Sequence, residues 1–232
     1  MGAVVKVAMH LFLDNFANLD ALQRIYPLLL QGLSLTALLA LVSLPLAIAA
    51  GLLIGVLYSL RHRCLNVVLL VWIDLFRSFP ILVLLILIFY GLPFLGVTLG
   101  SFAAVIAAVV LNNSGYYGEI FRAGIISVPH QQHEAALALG LGRFQTVFLV
   151  ILPQALRGVV APLASNSLEL VKATSIAALV ALPELLRSAR VAQEQTYNPT
   201  PLTAVAFIFF ALLWPFTRAV AKLERDMLAR SR

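Results

Sequence analysis

One cysteine, Cys64, stands in 232 residues, so the chain cannot form an internal disulfide and its redox compartment stays open. Charge is also scarce. Only 11% of residues are Asp, Glu, Lys or Arg, where a soluble domain carries about 25%. No G-x-x-x-x-G-K-[ST] loop occurs, so the chain cannot build a phosphate-cradling nucleotide site of that kind. The alternation with period two that a membrane barrel needs is missing. A secretion signal is not legible either: Lys6 is alone, Asp14 and Asp20 interrupt the apolar run, and no small-residue cleavage site follows. Residues 1–27 instead read as a short amphipathic segment on a membrane surface.

What is present is apolar. Hydrophobic residues make up 62% of the chain and mean hydropathy is +0.99. Such a chain cannot cover itself with polar surface, so lipid must be its solvent. Lipid also forbids unpaired backbone, so the runs must be helices. The apolar stretches run over residues 28–60, 65–95, 97–126, 153–182 and 202–220. Each holds about the 20 residues a span requires, which predicts five transmembrane helices in one domain. Polar segments at 127–145 and 183–201 separate the later spans, and residues 221–232 form a basic tail.

The net charge of +6 would suggest nucleic acid in a soluble protein; here the basic residues are topology signals and anionic-lipid contacts, and no nucleic-acid partner is expected. Arg61, Arg63, Arg122, Arg143, Arg157 and five basic residues of the tail region fall on one side of a five-span layout. Lys6, Arg24, Arg187 and Arg190 fall on the other. The positive-inside rule therefore puts the N-terminus outside and the C-terminus in the cytoplasm.

The polar segment after the third span reads SVPHQQHEAALALGLGRFQTVFLVILPQAL. Pro129 suits the first turn of a short helix carrying Glu134, Ala135 and Ala136, and Gly140 can end it. A second short helix, 143–150, leads to Pro153. His130 and His133 are too few for a metal site.

Glu134-Ala135-Ala136, Gly140, Val150, Leu152 and Pro153 together resemble the EAA loop of ABC importer permeases, with Val150 where isoleucine is usual. Flanking blocks extend the likeness to the polar amino-acid subfamily: Asp74-Leu75-Phe76-Arg77-Ser78-Phe79-Pro80, Glu119-Ile120-Phe121-Arg122, Leu170-Val171-Lys172-Ala173-Thr174-Ser175, and Pro183-Glu184-Leu185-Leu186-Arg187. The resemblance covers roughly residues 28–226. It implies the type I importer permease fold, a five-helix subunit in the bacterial inner membrane. It also implies a second permease subunit, identical or a sister chain, and a binding protein that delivers an amino-acid substrate from outside. A cytoplasmic ATPase dimer would carry ATP and Mg²⁺, so this chain would bind no cofactor and catalyse nothing itself. Residues 127–152 would be the segment that couples to the ATPase.

Charge inside the membrane needs a partner or a task. Asn166, Glu169 and Lys172 fall three apart on one helical face of the fourth run. That stripe suggests a water-filled cavity in which Glu169 meets a substrate ammonium; a Glu169–Lys172 or Glu169–Arg77 pair that only holds helices together is the competing reading. Asn112, Ser114, Tyr117 and Thr174 are further cavity candidates, and hydrogen bonding between helices explains them equally well. Asp74 and Arg77, three apart, read as a local ion pair. Two other functions stay in view: the same machinery for another small polar solute such as an opine, and an ion-coupled secondary transporter. The latter leaves the EAA block unexplained.

Overall fold

The computed structural model describes Lys6, Met9, residues 14–60 and residues 62–230, with side chains through Met227. Among the described residues the regular structure is helical throughout. Residues 1–5, 7, 8 and 10–13 of the expected surface segment, and the topology residues Arg61 and Arg232, lie outside the described residues. Residues 19–27 already belong to the first long helix.

That helix, α1 (Leu19–Ser59), is capped by Asn18, whose side chain accepts from the Ala21 N–H at 2.9 Å. It begins earlier than the apolar run predicted, and passes through Pro27 and Pro45. Its buried residues Leu29, Gly32, Thr36, Leu39, Ser43, Ala47, Gly51 and Ile54 recur every three or four positions. They form one packing stripe.

The second apolar run is not one straight span. It breaks at Phe79-Pro80 into α2 (Arg63–Ser78) and α3 (Ile81–Leu95), bent by 98°. Proline cannot donate, and it pushes the preceding residue out of the helical region. Phe79 accordingly has ψ 122° and Pro80 ψ 124°.

The central helix is α4 (Ser101–Ser127). It packs on α1, α2, α3 and the helix after it. The α1–α4 approach is close: a Cβ on Gly51 would lie 2.3 Å from the Cβ of Tyr117. No side chain larger than hydrogen fits there.

After a short helix α5 (His130–Ala138), a long helix α6 (Arg143–Val180) re-enters the apolar layer. The predicted end near Val150 is absent. Thr146–Ile151 is instead a wider π-helical stretch, and the helix continues through Pro153 to a 3₁₀ end at Thr174–Val180. The polar stretch after it contains helix α7 (Leu185–Thr196), which packs on α1. Finally, α8 (Thr200–Arg230) runs from the fifth apolar stretch into the basic tail without interruption.

By length and composition α1, α6 and α8 can cross a membrane, and the bent α2–α3 pair makes up to four. The third predicted span, α4, has the length, but Asn112, Asn113 and Ser114 dilute its apolar character.

Candidate functional site

Two regions carry the candidate residues. The first is the α5–α6 segment. Pro129 precedes the first turn of α5, in which Glu134 is exposed and its Oε1 lies 3.2 Å from His130 Nδ1. Ala136 is buried against the protein, while Ala135 faces out. Gly140 has φ +82° and closes α5. Its N–H donates to the Leu137 carbonyl (2.9 Å), and the Leu141 N–H reaches back to the Ala136 carbonyl (3.1 Å). This is the six-to-one, five-to-two closure that glycine permits. The turn leaves Leu139 82% exposed, with Leu137, Phe144, Phe148 and Leu149 also facing out. Leu152 is buried and Pro153 exposed at the start of the main α6 segment. An apolar cluster of this kind on a polar segment fits contact with a protein or with the membrane.

The second region is a cavity of about 580 Å³ lined by Ile120, Gly158, Pro162, Ser165, Asn166, Glu169, Glu224 and Met227. Glu169 accepts from Lys172 Nζ in a local ion pair that is largely exposed. Glu169–Arg77 is not among the described ion pairs. Of the eight cavity candidates, Asn166 and Glu169 line this space and Lys172 adjoins it through that pair.

The other five lie elsewhere in the single chain. Tyr117 is fully buried and shares a 3.0 Å hydrogen bond with Ser167. Thr174 is fully buried and donates to the Val171 carbonyl. Ser114 accepts from the Trp72 indole N–H at 3.0 Å. Asn112 Nδ2 donates to the carbonyls of Phe76 (2.8 Å) and Phe79 (3.0 Å) at the α2–α3 break. Arg77 lies over the ring of Tyr116, 5.7 Å from its centroid. The expected Asp74–Arg77 pair is likewise not among the described ion pairs.

Other groups were not read as candidates from the sequence. Arg122 forms a two-pronged pair with Glu119 at 2.6 and 2.7 Å and also lies over Tyr58. Their three-residue spacing is the same signal that was read as a pair at Asp74 and Arg77, and here the pair forms. Glu184 is fully buried in the connection between α6 and α7, where it caps α7. It accepts from the N–H groups of Leu186 (2.9 Å) and Arg187 (2.7 Å), with the Thr36 hydroxyl at 3.4 Å. Burial pushes its carboxyl above the ordinary glutamate range, while these bonds and the charge of Arg190 pull it back. Glutamate is not a favoured capping residue, so the helix start went unread. Glu224 reaches the cavity because α8 continues past the predicted end of its span.

A membrane-embedded helical subunit with a broken span and an exposed turn between helices is a recognisable class. The chain belongs to the family of binding-protein-dependent transport system inner membrane components, whose pattern matches residues 43–229. It is 34% identical over 199 residues to the probable glutamine ABC transporter permease protein GlnP of Bacillus subtilis (strain 168), covering 84% of this chain and 91% of that one. It is 36% identical over 168 residues to the L-cystine transport system permease protein TcyB of the same organism, covering 72% of each. The fold superposes with a TM-score of 0.79 on a chain of an amino acid ABC transporter crystallised with histidines, at 30% identity, covering 88% of this chain and 96% of that one. The protein is therefore an all-α integral membrane permease with the ABC importer fold.

Proposed function

We propose that this chain is the membrane subunit through which an ABC importer moves polar amino acids across the inner membrane. It works as a pair with a second permease, with the N-terminus outside and the tail in the cytoplasm. A binding protein supplies the cargo, and a cytoplasmic ATPase holding ATP and Mg²⁺ supplies the energy. The observation that carries the reading is the α5–α6 segment. Its glycine-closed turn presents Leu139 and its apolar neighbours outward, next to Glu134, Ala135 and Ala136. A rigid turn that offers apolar side chains can transmit a push from a docked partner into α6, which starts there.

The cavity supports an amino-acid cargo. Glu169 with Lys172 offers an anion and a cation side by side, and Asn166 and Ser165 add neutral hydrogen-bonding groups. Opposite charges so placed suit a zwitterion: the ammonium meets Glu169 and the carboxylate meets Lys172.

Gly140→Asp tests the docking surface. No atom lies within 4 Å of a Cβ at this position, but φ +82° strains any larger residue, so the substitution both distorts the exposed turn and adds a charge to it while the membrane portion stays folded. The expected result is normal insertion with loss of ATPase co-purification; normal co-purification would sink the assignment. Glu169→Gln tests the cargo contact, read as uptake into liposomes across an amino-acid panel. Unchanged uptake of every substrate rules it out.

A further inference from the structure

The break at Phe79-Pro80 creates a problem that α4 solves. In a continuous helix the Phe76 carbonyl would accept from the N–H of residue 80, but Pro80 has none. The extended backbone at Phe79 and Pro80 also leaves the carbonyls of Arg77 and Phe79 without their usual helical donors. In lipid no water replaces them. Asn112 Nδ2 donates to both Phe76 and Phe79, and the Tyr116 hydroxyl donates to Arg77 at 3.2 Å. Gly115 lets α4 approach close enough for this: a Cβ there would lie 3.0 Å from the Ile73 carbonyl oxygen. The next residue, Asn113, turns the other way. Its Oδ1 accepts from Asn166 Nδ2 at 3.2 Å, and Asn166 lines the cavity beside Glu169. Both asparagines are buried.

We infer that Asn112 is the positioning residue for the α2–α3 bend, and that Asn113–Asn166 ties the bend to the cavity wall, so that the two move as one unit during transport. The first half stands on the hydrogen bonds alone. The second half rests on the cavity being the cargo site.

The test uses the full complex in lipid nanodiscs. Cys64 is exposed near the start of α2, and Phe94 is exposed near the end of α3. Spin labels on Cys64 and on Phe94→Cys therefore report the bend as a distance. The expected wild-type result is one narrow distribution. Asn112→Leu and the near-isosteric Asn112→Asp, which loses the donating amide, both broaden or shift it. Both also lower the maximal rate of glutamine uptake about tenfold, a factor in line with unsatisfied buried carbonyls. Half-saturation stays unchanged, because Asn112 does not line the cavity. Asn113→Leu leaves the resting distance narrow yet lowers the maximal rate. If both Asn112 variants keep the wild-type distance and rate, the positioning role is wrong. If Asn113→Leu keeps the wild-type rate, the tie is wrong. Should wild-type complex transport no amino acid, the cargo reading fails, and the resting-distance measurement still decides the role of Asn112.

Discussion

Helices α4 and α8 invert the expectation carried over from soluble proteins. The apolar α8 has only 6% of its most apolar window buried inside the protein, and Phe207, Phe210, Trp214 and Phe216 face outward. The polar α4 is the core: Asn112, Asn113, Ser114 and Tyr117 are all buried in it. In lipid an apolar side chain gains nothing by leaving the solvent, whereas a polar one gains a partner. In α4, burial therefore serves hydrogen-bonding need and close backbone approach beside the apolar packing of Ala104, Val105, Ala108 and Val109.

The comparison is easiest to break on the α1–α4 seam. Gly51→Leu places side-chain atoms where Tyr117 already stands, and overpacking there is expected to cost about 3 kcal/mol. Thermal melting in detergent should show loss of most folded protein; a normal melt would mean that the seam is not the core. Arg122→Ala comes next. It strands Glu119 as an unpaired, three-quarters-buried carboxylate and should cost about 2 kcal/mol by the same measurement.

Glu184 sharpens the contrast by pH. Because burial raises its carboxyl above the ordinary value, the protonated form favours the folded state. Its contribution is complete below the ordinary glutamate value and is lost as pH rises through the raised one. Hydrogen exchange in α7 should therefore quicken across that window, and Glu184→Gln should flatten the response. An unchanged profile in that variant would assign the response to another group. The smallest effect belongs to α8: Phe210→Ala should change the melt by no more than about 0.5 kcal/mol, because its ring faces lipid in both cases.

Much of this was legible beforehand. The apolar runs located the long helices, and Gly140 closed α5 at the position its motif required. The EAA block and its flanks pointed to the family that the matched residues 43–229 establish. The illegible parts share a cause. Pro80 marked a disturbance, but a 98° bend depends on donors that α4 brings from 32 residues away in the chain, at Asn112. Helix α7 was hidden because its cap is a glutamate whose burial depends on Thr36 of α1. Asn112, Ser114 and Tyr117 looked like cavity residues because a polar side chain in an apolar run signals only that it must be satisfied, never by what.

Composition and order alone determined that this protein lives in lipid and that its elements are helices. Those follow from backbone hydrogen bonding in a medium without water, a local requirement that any apolar run must meet. Which helix became the core, which polar groups meet each other and which line a cavity were decided only by tertiary structure. Partners such as Asn113 and Asn166 lie on different helices, and only packing brings them within 3.2 Å.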